Sequence, residues 1–283
     1  MSGQPPSFDL VVATVGRREE LGRFLDSVAA QGYPRVRVVV VDQNEDDRVA
    51  AVLADRAIAL VRRRSPRGLA RARNVGLREV DADLVAFPDD DCVYPPGLLR
   101  KVAERFVRAP DLDGLTGRAA DAAGASSASW ESDAAVLTDD NHWNRANSAA
   151  VFLRGAVVAR VGQFDERLGL GSQEPWASGE ETDYLIRAVR AGARIEYDPG
   201  LVVQHDVVED DPRIGLRDGA SVGYLLRKHG YPTRVVARML VRPLGGIVLS
   251  LARRDTARAR YYAASLRGRI RGYVGASRSK SSA

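Results

Sequence analysis

Three consecutive aspartates, Asp89-Asp90-Asp91, follow an apolar run that ends in Phe87-Pro88. Carboxylates this close together are costly to bury unless a cation or several donors face them. Two of them one residue apart can share a hard divalent ion, which takes oxygen ligands and keeps waters and substrate phosphates around it. The alternative is that Asp90 or Asp91 caps a helix beginning near Pro95-Pro96, although a cap needs one acid and not three. Asp42 directly follows Val38-Val39-Val40-Val41. A carboxylate there can accept from a base N–H or a ribose hydroxyl, or it can be an acidic turn residue. Arg71 and Arg73 fall on the first turns of an expected helix, where they oppose the helix dipole. A diphosphate nearby would offset that cost; a solvated basic face is the other reading. Ser178-Gly179-Glu180-Glu181-Thr182-Asp183 opens a helix and matches the capping box S-x-x-E. A capping glutamate and a catalytic one are indistinguishable in one sequence. His205 lies beyond a short strand, either as a structural histidine or as a third metal ligand through a neutral ring nitrogen.

The elements that position these groups alternate between strand and helix. Phe8–Thr14 reads as a buried strand and Glu19–Ala30 as a helix with Leu21, Phe24, Leu25 and Val28 inward. Val36–Val41 is an almost continuous β-branched run, as in strands covered on both faces. A helix is expected around Asp47–Arg56, a strand over Ile58–Val61, a helix over Leu69–Val80 and a strand over Leu84–Phe87. This order predicts an α/β fold with a mostly parallel sheet. Ligands of such sheets sit outside the carboxyl ends of the strands, which selects Thr14, Asp42 and the aspartate triplet. Gly114–Asn147, with Trp130 and Trp143, lacks periodicity and reads as loops around a pocket. Glu180–Ala191 is a helix, and Ile195–Tyr197 and Leu201–Val203 are short strands. Beyond Arg213 the pattern is helical. Val235–Val241 and Ile247–Leu251 are apolar, but Pro243 and a Gly pair separate them, so neither reaches the ~20 residues that span a bilayer.

Composition narrows the function classes. The 283 residues include one cysteine, Cys92, which excludes an internal disulfide framework and a multi-cysteine zinc site. No G-x-G-x-x-G follows the first strand and no G-K-[ST] occurs, so two common nucleotide-binding solutions are absent. Met1–Ser7 lacks a basic start and an apolar run, so a cytoplasmic location is the default expectation. Arg227–Ala283 holds fourteen Lys and Arg against one acid, Asp255, while the chain before it is net acidic. Asp255–Tyr273 sets Tyr261, Leu266, Ile270 and Tyr273 among arginines. This basic amphipathic pattern predicts docking of residues 227–283 on an anionic membrane surface, peripheral to its inner face, rather than on nucleic acid.

In order along the chain, Val11-Val12-Ala13-Thr14, Val40-Val41-Asp42, Gly68-x-x-x-Ala72-Arg73-Asn74-x-Gly76, Phe87-Pro88-Asp89-Asp90-Asp91, Val161-Gly162-Gln163-Phe164-Asp165-Glu166 and Gly179-Glu180-Glu181-Thr182-Asp183-x-x-x-Arg187 together resemble the family 2 inverting glycosyltransferases of the GT-A fold. The resemblance covers about Phe8 to Asp206. It implies a catalytic domain over 8–212, with a nucleotide-binding half to about residue 91 and an acceptor half from 92, followed by a basic helical extension over 213–283. It implies a nucleotide-diphosphate sugar as donor, a glycan or lipid-linked acceptor, and a divalent cation, Mg²⁺ or Mn²⁺. Asp89 and Asp91 match the outer acids of the family's D-x-D motif. His205 matches a histidine that completes the metal shell in some relatives. Asp42 matches the base contact, Asp90 is assigned to the donor ribose or to support of the metal ligands, and Thr14 would line the donor pocket through its backbone. Glu181 matches the second acid of the E-D motif, the usual general base, a position that is often Asp in relatives. A rival reading is a haloacid-dehalogenase-type phosphohydrolase, since Asp89-x-Asp91-x-Val93 fits D-x-D-x-[TV]. That motif normally follows a domain's first strand, and here three strands are expected before it.

Overall fold

The computed structural model describes residues 4–54, 56–126, 129–206 and 210–278. Eight strands form one sheet: β1 Phe8–Thr14, β2 Val36–Asp42, β3 Ala59–Arg64, β4 Leu84–Ala86, β5 Gly114–Ala120, β6 Ala135–Val136, β7 Val151–Arg154 and β8 Ile195–Gln204. Their spatial order is β3-β2-β1-β4-β7-β5-β8-β6. The first four strands are parallel; β7 runs antiparallel to β4 and β5, and β6 antiparallel to β8.

Strand alternation explains why β1 and β2 are apolar throughout. Leu10, Val12, Val38 and Val40 face one layer, with Leu21, Phe24 and Leu25 of α1 (Glu19–Ala29) and Val102 and Phe106 of α4 (Leu98–Arg108). Val11, Ala13, Val39 and Val41 face the other, with Ala70 and Ala72 of α3 (Leu69–Leu77) and Val157 of α5 (Gly155–Val161). Each large aliphatic side chain so buried contributes about 1.5–3 kcal/mol. Gly76 lets α3 settle on the sheet, since a Cβ there would lie 2.3 Å from Val11 Cγ1. Two residues earlier, Asn74 spans to Phe164, accepting from its N–H at 2.7 Å and donating to its carbonyl at 3.0 Å.

Several elements differ from the sequence expectation. The expected Asp47–Arg56 helix is a single turn, α2 Ala50–Leu53. Gly114–Ala120, expected as loop, is an interior strand, because its small residues allow close approach: a Cβ at Gly117 would meet the Leu201 carbonyl at 2.1 Å. The two short strands expected near residue 200 are one strand, β8.

The chain divides into two compact units. One runs to Phe164 and resumes from Tyr184 through β8. The other joins Asp165–Asp183 to the C-terminal helices, so this unit begins inside the 8–212 segment expected as one domain. The helix α6 (Glu180–Arg190) starts in the second unit and continues in the first.

Within the second unit, α7 (Pro212–Lys228) and α9 (Thr256–Arg278) pack backbone to backbone. Gly215, Gly219 and Gly223 meet Tyr261, Ser265 and Arg269 in turn, so the two helices run in the same direction, and a Cβ at Gly219 would sit 2.3 Å from the Ser265 carbonyl. Between them in sequence, α8 is one continuous helix, Thr233–Ala252, with Pro243 inside it. This corrects the expectation of two short apolar pieces, and at 20 residues α8 is long and apolar enough to cross a membrane. The physical reason lies on α9. Proline removes the bond to the carbonyl four residues back, and that carbonyl, Met239, accepts instead from the Arg269 guanidinium. Burial, with Arg242 nearby, lowers the Arg269 pKa to about 10. Residues 279–283 of the basic tail, including Lys280, lie outside the described residues.

A double-mutant cycle tests this rescue. Arg269→Met leaves the Met239 carbonyl unpaired and should lower the unfolding free energy by about 1–3 kcal/mol. In a Pro243→Ala background the helix supplies its own N–H, and the same substitution should cost clearly less by urea titration. Equal costs in both backgrounds would show that Arg269 does something else.

Candidate active site

The carboxyl ends of β1, β2 and β4 bring the candidate residues of the first unit together. Thr14 pairs with Asp42 in register, and Ala13 bridges to Asp89 just past β4. The loops beyond are tied to one another. Gly16 N–H donates to Asn44 Oδ1 at 2.7 Å, Gln43 N–H to the Thr14 carbonyl at 3.0 Å, and Gly68 N–H to Gln43 Oε1 at 2.8 Å.

Each aspartate of the triplet has its own partners. Asp89 accepts from Ser148 Oγ at 2.8 Å and pairs with Arg73 Nη2 at 3.3 Å. Asp90 is buried and pairs with Arg17 Nη1 at 2.8 Å. Burial pushes the Asp90 carboxyl up to about 6 against the pull of Thr14 and Arg17. Asp91 pairs with the same Arg17 nitrogen at 2.5 Å and with His205 Nε2 at 3.3 Å. Burial raises the Asp91 pKa, but His205 and Arg17 outweigh it and hold the carboxyl below its ordinary value. The Asp91 hydrogen bond and charge raise His205 to about 9.

This geometry redistributes the expected roles. Asp91 and His205 come together, whereas Asp89 turns to Arg73 and Ser148, and no three His, Cys, Asp or Glu among the described residues form a metal-holding group. The Asp91–His205 pair nonetheless fits a cation. Asp91 Oδ1 is buried with no well-aligned hydrogen bond, and His205 Nδ1 lies 2.9 Å from the Asp206 carbonyl. With Nδ1 donating to that carbonyl, loss of the Nε2 proton would leave the Nε2 lone pair for a cation shared with Asp91, the arrangement metal-ligating histidines use.

Thr14 is buried, and its carbonyl is taken by Gln43, so the exposed residues of that loop are Val15 to Arg18 rather than Thr14. Asp42 is fully buried. Its Oδ1 accepts from the Asn44 N–H and side-chain amide, and its Oδ2 pairs with Arg62 at 2.7 Å and Arg64 at 3.0 Å. Burial raises the Asp42 carboxyl, yet these donors bring its pKa below the ordinary value. Arg71 is exposed, whereas Arg73 is buried beneath the triplet with Phe164 5.6 Å from its guanidinium. Arg17, Arg62 and Ser148 were missed in the sequence. Arg17, three residues past a strand end, carried a signal that its exposed neighbour Arg18 shares; Ser148 carried none.

The second unit holds the acids that open α6. Asp183 is fully buried and pairs with Lys228 Nζ at 2.6 Å and His229 Nε2 at 2.8 Å. Lys228 also pairs with Asp165 at 2.8 Å. Glu180 is buried, so Glu181 is the one acid of the three that is not. Ser178 does not cap the helix. It lies one residue before Gly179, the residue preceding the first helical position, and its hydroxyl is 2.8 Å from that of Ser221.

The phosphohydrolase reading finds no support. The triplet follows the fourth strand, Lys101 donates to the Gly200 carbonyl, and Lys228 is engaged in the second unit.

The His205 shift has a measurable sign. Its folded pKa lies above the ordinary 6.5, so the stability it contributes is complete below pH 6.5 and is lost as pH rises through about 9. With chelator present, the wild-type thermal midpoint should fall more steeply from pH 7 to pH 9.5 than that of His205→Gln. Parallel profiles would refute the pair.

Residues 9–147 match the family model described as Glycosyl transferase family 2. The chain is 30% identical over 188 residues to the pre-mycofactocin glycosyltransferase of Mycobacterium tuberculosis, covering 60% of this chain and 37% of that protein. It is 27% identical over 228 residues to an N-acetylglucosaminyltransferase of Sinorhizobium fredii, covering 71% of this chain and 53% of that protein. The chain thus spans between a third and about half of the length of these relatives. In fold it is similar to the mannosyltransferase PcManGT from Pyrobaculum calidifontis, solved in complex with GDP-Man and Mn²⁺, with a TM-score of 0.69 at 15% identity over 95% of this chain and 88% of that one. S. aureus TarS 1-349 in complex with UDP-GlcNAc gives 0.61 at 16% identity over 95% and 92%. Residues 9–147 thus match glycosyl transferase family 2, and the chain has the GT-A fold of the solved glycosyltransferases it is similar to.

Proposed function

We propose that this protein moves a sugar from a nucleotide-diphosphate donor to an acceptor hydroxyl with inversion, in the synthesis of a surface polysaccharide, glycolipid or other glycoconjugate. The observation that carries the reading is the aspartate triplet at the carboxyl ends of parallel strands, matched by Arg17, Arg73 and His205. The family match and the relatives named as glycosyltransferases support it.

Asp91 and His205 are the groups that would hold a Mg²⁺ or Mn²⁺ ion. Such an ion, when bound, neutralises charge on a departing diphosphate. Asp89, fixed by Arg73 and Ser148, completes an anionic wall beside it. Arg71, exposed on α3, would meet donor phosphate oxygens. Asp90 and the Asp42–Arg62–Arg64 group offer polar contacts for ribose and base. Glu181 accepts the acceptor's hydroxyl proton. It lies in the first turn of α6, where the helix dipole stabilises negative charge, while Asp183, held by Lys228 and His229, fixes that turn in place.

Two substitutions on α6 separate these roles. Glu181→Gln should reduce turnover by about 10²–10⁴-fold with donor binding and thermal midpoint preserved; wild-type turnover would refute the base. Asp183→Asn removes the buried charge that Lys228 and His229 face, while Lys228 keeps Asp165, and should cost about 1–3 kcal/mol of stability. At the cation site, a nucleoside diphosphate with Mn²⁺ should raise the wild-type melting temperature by mass action, and Asp91→Asn should lose that rise. The same rise in wild type with chelator present would remove the cation from the reading.

A further inference from the structure

The helix α8 has two apolar faces, and only one is covered. Val235, Val236, Met239, Pro243 and Ser250 are buried. On the opposite side, Val241, Leu244, Val248, Leu249 and Leu251 are 54%, 46%, 68%, 52% and 55% exposed. At 3.6 residues per turn these five fall on one side of the helix, with exposed Gly245 and Ala252 between them. Single exposed aliphatics need no explanation, but a contiguous stripe marks a surface that something covers.

The charges around the stripe indicate what covers it. Arg234, Arg238 and Arg242 are exposed in the first half of the helix, and Arg253 and Arg254 follow its end. The one acid of this region, Asp255, is used locally, accepting from the Arg258 N–H at 3.0 Å. The outer side of α9 adds exposed Arg260, Arg267 and Arg271 beside Ile270 and Val274. The aromatic residues that the sequence pattern places on a lipid-facing side of α9 lie elsewhere. Tyr261 packs on Gly215 and Tyr273 lies beneath the Arg227 guanidinium; Tyr262, outside that pattern, faces Gly246.

We propose that the outer face of α8, from Val241 to Ala252, docks in the interface of an anionic lipid membrane, with the flanking arginines on the head groups. A helix with one polar-flanked apolar face lies in the interface plane and binds through buried apolar area plus attraction to anionic lipid. Crossing the bilayer fits less well. It would carry Arg238 and Arg242 into hydrocarbon, where charge is costly, and strip Met239 from its bond with Arg269. The proposal stands independently of the sugar-transfer reading.

The test uses the full chain with phosphatidylcholine vesicles and with vesicles that also contain phosphatidylglycerol. Wild type should sediment with the second kind, less so at high salt. The double substitution Leu244→Glu/Val248→Glu, at two exposed positions, should keep the wild-type thermal midpoint and lose about tenfold or more in partitioning. A second readout covers a variant that folds poorly. Cys92 is buried and is the only cysteine, so Val248→Cys can be labelled selectively with an environment-sensitive dye, whose emission should shift to the blue on anionic vesicles. Absence of binding, equal sedimentation of both proteins, or sedimentation without a dye shift would overturn the proposal. So would a wild-type dimer, or an RNA complex, that the same double substitution abolishes, since either would show that the stripe has another occupant.

Discussion

Carboxylates gathered at one edge of a sheet must be neutralised, and much of the first unit follows from that requirement. Asp89, Asp90 and Asp91 occupy successive positions where β4 ends, and each turns toward a different cation. Arg73 comes from α3 beneath the sheet, Arg17 from the loop after β1, and His205 from the chain beyond β8. A buried ion pair gains little net stability, because desolvation offsets the attraction, but removing one partner is expensive. The triplet therefore holds three segments in place more by the penalty for losing them than by their gain. Arg17 is half exposed and touches two of the acids, so of the three cations it is the one a ligand's own charges can replace at least cost.

The same logic explains motifs that look independent in the sequence. The stretch around Arg73-Asn74 and the one ending in Phe164 are far apart in the chain, yet Asn74 bonds both backbone groups of Phe164, and Phe164 packs on the Arg73 guanidinium. Arg73 in turn reaches Asp89. One buried polar network thus links three of the motifs that carry the family resemblance, and loss of any member leaves a buried donor or acceptor unpaired.

What was legible in the sequence was what depends on local pattern. The strand runs and their ends placed Asp42 and the triplet correctly, because period-two burial and the carboxyl-end rule need no tertiary information. Long-range pairing was not legible. Nothing in the spacing tells that Arg73 points inward to Asp89 while Arg71 is exposed, or that His205 meets Asp91 rather than Asp89. The capping reading of Ser178 failed because the helix begins one residue later than a capping box requires. Gly114–Ala120 was hidden because an interior strand of small residues looks like a loop when its packing partner is unknown.

Pro243 is the clearest case of a local rule overridden from outside. Read alone, it divides an apolar segment into two pieces too short for a surface of any size. The Arg269 guanidinium accepts the role of the missing N–H, and the helix continues. Continuity is what places Val241 and Leu244, around the proline, on the same side as Val248 and Leu251, beyond it. Were the helix broken at Pro243, its two halves would be free to turn separately, and the stripe would not exist as one surface. The exposed face of α8 is therefore a property of α9 as much as of α8. The buried arginine that makes it possible loses some of its affinity for a proton in doing so, a cost that a helix needed only for core packing could have avoided with alanine in place of the proline.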